Sequence, residues 1–139
     1  MIITLSIADI LDGVYADSAL SALTADKGIE AYILSPDNEA ALRRLVCDAF
    51  AATIAMAGNM WSLITADETE LTAEYCSAED EDLHSTSEKF RTAVTYMLTY
   101  IIYRSAENNR AKASLDSAKI IINNLAQQSY HLEQITPNI

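Results

Sequence analysis

The chain has 139 residues, half of them apolar, with three glycines, two prolines and a formal net charge of −11. This length fits a single domain over residues 1–139. The scarcity of glycine and proline disfavours a turn-rich β-sandwich and favours long helices, so the domain is expected to be helical. Acidic residues outnumber Lys and Arg by eight to three in residues 1–64 and by nine to two in 65–103, and the rest is almost neutral. The chain therefore offers no basic face to DNA, RNA or an anionic membrane.

The N-terminal segment is predicted to be short and irregular. A β-like run at residues 2–5 precedes a helix start, where Ser6 and Asp9 have the spacing of a capping box. The N-terminus has no basic region ahead of an apolar one, and no apolar run approaches the roughly 20 residues that span a bilayer. The two cysteines, Cys47 and Cys76, are too few for a disulfide scaffold. A cytoplasmic protein is therefore expected.

The longest predicted helix covers residues 36–64. Ser35 can cap it, and Pro36 suits its first position. Apolar residues then recur at alternating spacings of four and three, in two stripes that together cover roughly half of the circumference. This pattern predicts the central core helix, with these residues largely buried: Val46, Thr53, Met56, Met60 and Trp61.

An acidic connector follows the central helix. Residues 66–88 contain nine acids and no Lys or Arg, and four of the acids form the uninterrupted run 79–82. Such a run repels itself, so a solvated loop or a frayed connection is expected. The alternation at Leu71, Ala73 and Tyr75 also permits a small hairpin.

Two more helices are predicted in the last third of the chain. The third begins at Ser85, with Glu88 completing a capping box. A turn at Asn108 separates it from a fourth helix, which continues to Leu132 before Pro137. The fold expected from these elements is an all-α bundle of three to four main helices. A coiled-coil oligomer is the alternative, which the broad apolar stripes disfavour.

Few patterns in the sequence indicate catalysis. Phosphate loops, dinucleotide fingerprints and hydrolase motifs are missing from it. Glu81 and His84 have the Glu-x-x-His spacing of di-iron bundles, but the second such motif is missing. Cys47 is expected to be a small buried hydrophobe. The sequence therefore assigns no catalytic, cofactor or metal residue, no cofactor and no small-molecule ligand.

A tyrosine stripe is the candidate interface. Tyr96, Tyr100 and Tyr103 fall within about 60° of one another on a helical wheel. Tyrosine combines a rigid apolar body with a polar tip, which suits contact with a protein partner or a second copy. The alternative is a core helix whose tyrosines lie at the rim with their hydroxyl groups in water.

Two segments resemble small structural proteins of tailed phages. Residues 100–108 read YIIYRSAEN and resemble the aromatic-rich late helix of head–tail connector proteins. Residues 37–46 read DNEAALRRLV and resemble the first long helix of that family. The extended acidic connector and the long fourth helix depart from the family's pattern. The resemblance implies a non-enzymatic subunit of a ring or multi-protein assembly, built into a virion inside a bacterial cell.

The leading functional hypothesis is therefore a non-enzymatic structural or assembly protein that acts through protein–protein contacts, as a prophage head–tail connector or tail-assembly component does. A second hypothesis is an acidic regulatory or adaptor module that binds a basic partner protein. A third is a helical enzyme whose site is assembled from residues distant in sequence.

Overall fold

A computed structural model describes residues 2–24, 39–58, 61–67, 70–75, 83–104 and 108–135. Within these ranges the elements are β1 (Ile2–Ser6), α1 (Ile7–Thr24), α2 (Glu39–Ala57), β2 (Trp61–Ala66), β3 (Glu70–Tyr75), α3 (Leu83–Tyr103) and α4 (Asn108–Ile135). Helices account for most of the described residues, as expected. The three strands form one sheet, so the all-α prediction is wrong in leaving that sheet out.

The sheet is antiparallel, with the strand order β1-β3-β2. Ile3 pairs with Ala73 and Leu5 pairs with Leu71, and all four side chains are buried on one face. The opposite face is exposed at Glu70 and Glu74, as the period of two in a strand requires. The β-like run at the N-terminus and the alternation after residue 70 are thus each one strand of this sheet.

Two hydrogen bonds link the facing ends of β2 and β3, within the acidic connector. The Glu70 backbone N–H donates to the Asp67 carboxylate at 2.9 Å, and the Asp67 N–H donates to the Glu70 carbonyl at 3.2 Å. A carboxylate that accepts a hydrogen bond from a nearby backbone N–H stabilises the ends of such a strand pair. The alternation at Leu71 and Ala73 does belong to a strand of an antiparallel pair, but the other strand, β2, begins within the predicted helix 36–64. The acidic run 79–82 lies outside the described residues.

Helix α2 is shorter at its C-terminal end than the prediction of residues 36–64. It ends at Ala57, and Gly58 follows with a φ of +85°. A residue in this left-handed region terminates a helix, and glycine adopts it without steric strain. Trp61 is buried as predicted, but it lies in β2. Ser35, Pro36 and Met60 lie outside the described residues.

The core lies between the sheet and the helices. Val46 and Thr53 of α2 are buried as expected, whereas Met56 is half-buried because it lies near the end of the helix. Phe90 of α3 packs edge-on against Phe50 at 5.8 Å between ring centroids and stacks on Trp61 at 4.4 Å. This aromatic cluster joins α2, β2 and α3.

Helices α3 and α4 form the largest helix pair. α3 begins at Leu83, so Ser85 lies inside the helix rather than capping it. α3 packs against α1, α2, α4 and β1. Within the described ranges, none of the helices combines the length and the apolar character that crossing a bilayer would require.

Candidate functional site

A groove of about 440 Å³ lies between α1, α3 and α4. We call it the helix groove. Its volume is within the range of ligand-binding clefts, roughly 300–1,000 Å³. Nearly all of its lining residues are polar: Asp9 and Gly13 of α1, Arg91, Thr92, Thr95, Tyr96 and Thr99 of α3, and Arg110 and Ser114 of α4.

Three threonines form the α3 wall of the helix groove. Each hydroxyl donates to the carbonyl four residues earlier, at 2.9 Å for Thr92, 2.9 Å for Thr95 and 3.0 Å for Thr99. Such hydrogen bonds are the usual way in which a helical threonine satisfies its donor. Since each O–H group donates to the backbone, the hydroxyl oxygens keep only their acceptor capacity for any further hydrogen bond.

Two guanidinium groups from different helices line the same groove. Arg91 pairs with Glu88, one turn earlier on α3. Arg110, in the first turn of α4, lies with its guanidinium carbon 4.0 Å from the centroid of the Tyr103 ring. An arginine stacked on a tyrosine face is held by a cation–π interaction and is thereby oriented. The groove thus combines guanidinium groups from α3 and α4 with the threonine hydroxyls of α3.

Helix α1 contributes the carboxylate of Asp9 and the glycine Gly13 to the groove. The Ser6 hydroxyl accepts a hydrogen bond from the Asp9 backbone N–H at 3.4 Å, in the geometry of the predicted cap. The side chain of Asp9 is exposed and lines the groove. Gly13 lines it as well, and a Cβ built on Gly13 would meet no described atom within 4 Å.

The predicted tyrosine stripe is divided by the packing of α4. Tyr96 is 38% exposed and lines the helix groove. Tyr100 is half-buried against the core, with the guanidinium carbon of Arg104 6.0 Å from its ring centroid. Tyr103 is only 2% exposed. The expectation that all three form one exposed patch is therefore wrong at Tyr103, because the start of α4 covers that turn of α3 with Arg110.

Of the other residues that the sequence singled out, the structure describes Cys47 on α2 and His84 on α3. Cys47 is half-buried, and its thiol donates to the Asp67 carbonyl at 3.5 Å beside a cavity of about 220 Å³. His84 is exposed at the start of α3. Glu81 and Cys76 lie outside the described residues. Among the described residues, no group of three or more metal-binding side chains is present.

Tyr15 on α1 has a buried hydroxyl group. Its oxygen has no hydrogen-bond partner among the described residues. Burial raises the pKa of this phenol above its usual value, and the charge of Glu39 raises the pKa further, partly opposed by Arg43. Tyr15 does not line the helix groove.

The sequence did not single out the arginines and threonines of the helix groove. The one local signal is the spacing of Thr92, Thr95 and Thr99, which places hydroxyls on one side of α3. Comparison with known proteins finds no matching family model, no similar curated protein and no similar solved structure.

Proposed function

We propose that this protein is a non-enzymatic assembly protein that binds another protein subunit through the surface of α3 around Tyr96. The observation that carries the proposal is the position of Tyr96. This ring is 38% exposed and lies in a groove lined by Arg91 and Arg110. Tyrosine and arginine are the residue types enriched in the energetically dominant parts of protein interfaces.

The packing below Tyr96 supports this role. Tyr100 is one turn further along α3 and packs against the core, and Met97 and Leu98 beside Tyr96 are buried. The exposed Tyr96 ring therefore belongs to a helix that is anchored to the core by its neighbouring residues. Tyrosine also loses little conformational entropy for the area it covers, so a fixed tyrosine is a favourable anchor.

The kind of assembly and the identity of the partner are proposed from the sequence alone. The resemblance of residues 37–46 and 100–108 to head–tail connector proteins favours a prophage connector or tail-assembly component, with a neighbouring virion subunit or a second copy as the partner. The two guanidinium groups beside Tyr96 favour this proposal over that of an acidic module that binds a basic partner with this surface.

The test combines crosslinking with measured affinity. A photoreactive amino acid is placed at position 96 and, as a control, at exposed Asp48 of α2, in cells that express the protein naturally. The adduct specific to position 96 is identified by mass spectrometry, and its protein is produced for binding measurements with the wild type and with Tyr96→Ala. Ile120→Ala is the matched control, because Ile120 is a large apolar side chain of α4 that is 61% exposed and does not line the groove.

The expected result is a loss of affinity of at least about tenfold for Tyr96→Ala, with Ile120→Ala unchanged, while both variants keep the wild-type melting temperature. Equal affinity for the wild type and Tyr96→Ala would contradict the proposal. Equal crosslinking at positions 96 and 48 would also contradict it.

A further inference from the structure

We infer that copies of this protein assemble head to tail, with the outer face of the sheet in one copy bound to the exposed side of α4 in the next. The inference goes beyond the proposed contact at Tyr96, because neither surface includes a residue that lines the helix groove. It rests on two exposed surfaces of the chain whose charged and polar side chains follow complementary orders.

The outer face of the sheet, which we call the sheet face, is exposed and acidic. Glu70 and Glu74 are exposed on β3, and Thr72 lies between them on the same side of the strand. On β1, Ile2 pairs with Glu74 and Thr4 pairs with Thr72, so these side chains share the face. Ile2 is 55% exposed. Because β1, β2 and β3 contain no lysine or arginine, their side chains give this face only negative charge.

The exposed side of α4 carries two lysines in a line. Lys112, Asp116, Lys119 and Asn123 are all exposed and fall within about 60° of one another around the helix. We call these four residues the lysine stripe. Neither lysine takes part in an ion pair within the part of the chain that the structure describes. Ile120 is turned about 100° from Lys119 around the helix and lies outside the stripe.

The two surfaces match in order and in length. Along β3 the order is Glu, Thr, Glu over about 13 Å, at a rise of about 3.3 Å per residue. Along α4 the order is Lys, Asp, Lys over about 10.5 Å, at a rise of about 1.5 Å per residue. A helix laid along β3 would bring each ammonium group to a glutamate and the Asp116 carboxylate to the Thr72 hydroxyl, which can donate to it.

The side-chain chemistry of lysine suits this contact. Its flexible four-carbon stem covers the difference in length between the two patterns. The stem of the lysine that reaches Glu74 can also pack on the exposed Ile2 beside it, since lysine stems bury readily on apolar surface. The net charge of −11 opposes self-association at long range, but at 0.15 M salt charges beyond about 8 Å are largely screened, whereas these contacts are shorter.

The two surfaces cannot meet within one chain, because each lies on the outside of the fold. The sheet face is the side of the strands opposite the buried Leu5 and Leu71. The lysine stripe is exposed, whereas other sides of α4 pack on α3 and α2. The occupant of the sheet face is therefore a second copy. Since the two surfaces differ, the contact is heterologous and leads to a ring or an open filament rather than a closed dimer.

The experiment is a charge reversal on each surface. Lys112→Glu/Lys119→Glu reverses the stripe, and Glu70→Lys/Glu74→Lys reverses the sheet face. Sedimentation velocity of the full chain at physiological salt, over a series of protein concentrations, measures association of each variant alone and of the two in equal mixture. Circular dichroism melts report the fold.

A second double variant controls for net charge. Arg44→Glu/Lys89→Glu makes the same change in charge as the stripe reversal, at exposed positions of α2 and α3 outside both surfaces. It should associate as the wild type does. The sheet reversal makes the chain less negative than the wild type, so a loss of association there cannot come from general repulsion.

We expect the wild type to associate beyond a dimer as its concentration rises, and each reversal alone to weaken association by at least about tenfold, because like charges then face each other. The equal mixture should restore association, since the lysines on the sheet face of one variant meet the glutamates on the stripe of the other. If either reversal lowers the melting temperature, Lys112→Gln/Lys119→Gln and Glu70→Gln/Glu74→Gln take their place, with a smaller loss expected.

The inference is overturned by a wild type that stays monomeric at every concentration, by association that neither reversal weakens, or by a mixture that does not restore it. Self-association lost in Tyr96→Ala but unaffected by the reversals would overturn it while leaving the proposed function standing, with a second copy as the partner. Restored association in the mixture, together with a crosslinked partner that binds Tyr96→Ala as tightly as the wild type, would instead contradict only the proposed function.

Discussion

Phe90 is the residue whose removal should most clearly test how the sheet and helices are joined. Its side chain is fully buried, with ring centroids 5.8 Å from Phe50 at an interplanar angle of 78° and 4.4 Å from Trp61 at 29°. Replacing a buried phenylalanine by alanine typically costs about 3–5 kcal/mol, including the cavity that remains. Each aromatic pair adds about 0.5–1.5 kcal/mol beyond the buried area, so we expect Phe90→Ala to lie in the upper part of that range.

This loss is large compared with the whole stability of a domain, which is about 5–15 kcal/mol. The assay is urea unfolding followed both by far-ultraviolet circular dichroism and by tryptophan fluorescence. The chain has a single tryptophan, Trp61, and it stacks on Phe90. Fluorescence therefore reports the contact of β2 with α3, whereas circular dichroism reports mainly the helices. Coincident transitions would show that the two parts unfold together.

Lys89→Ala is the control, because Lys89 precedes Phe90 on the same helix and is exposed. It should change the free energy of unfolding by no more than about 0.5 kcal/mol. A loss below about 1 kcal/mol for Phe90→Ala would refute the aromatic cluster as the junction of the fold. Separate fluorescence and circular dichroism transitions in the wild type would refute the claim that sheet and helices share one core.

Three further predictions follow from individual side chains. Tyr15→Phe should reduce the loss of stability at alkaline pH. Because the pKa of Tyr15 is raised in the folded state, its contribution to the free energy of unfolding is fully present below the unfolded pKa of about 10 and is lost as pH rises through the folded pKa. Melting temperatures of the wild type and the variant at neutral and alkaline pH would show this difference. Gly58→Ala should destabilise by about 1 kcal/mol in urea unfolding, because its φ of +85° strains any residue with a Cβ. Val46→Asp should lower the free energy of unfolding by about 4 kcal/mol or more, and Met56→Asp should lower it clearly less, because Val46 is fully buried and Met56 only half-buried. Equal melting temperatures for these two variants would contradict this prediction.

The helices could be predicted because their signal is local. Apolar residues three and four positions apart define a buried face without knowledge of the rest of the chain. The sheet could not be predicted in the same way, because β1 pairs with β3 about 70 residues later, as Ile2 does with Glu74. Only a strand's own alternation is visible locally, and in β1 and β3 it covers just a few residues. Trp61 illustrates the limit: it continues the helical stripe of α2, but the conformation of Gly58 ends the helix before it.

Only those parts of the candidate site that depend on local residue spacing could be predicted from the sequence. The spacing of the tyrosines identified Tyr96, which is exposed. It placed Tyr103 on the same side of α3, but whether that side faces solvent depends on the neighbouring helix, and there Arg110 covers the ring. The helix groove depends on where α1 and α4 dock on α3. The sequence contains its arginines, but their convergence is a property of the tertiary fold.

Gly13 allows the helix groove to be filled without damage to the core. It lies within α1 and lines the groove, and a Cβ built on it meets no described atom within 4 Å. Glycine inside a helix is less favourable than alanine by about 0.5–1 kcal/mol, so Gly13→Ala should raise the stability by about that amount in urea unfolding. Gly13→Leu should keep the fold while placing four extra carbon atoms at the groove wall, and we expect it to lower the affinity for the partner protein that contacts Tyr96, whereas Gly13→Ala leaves that affinity within about twofold. A destabilised Gly13→Ala would show that α1 does not adopt this packing, and undiminished partner affinity in a folded Gly13→Leu would show that the partner does not enter the groove.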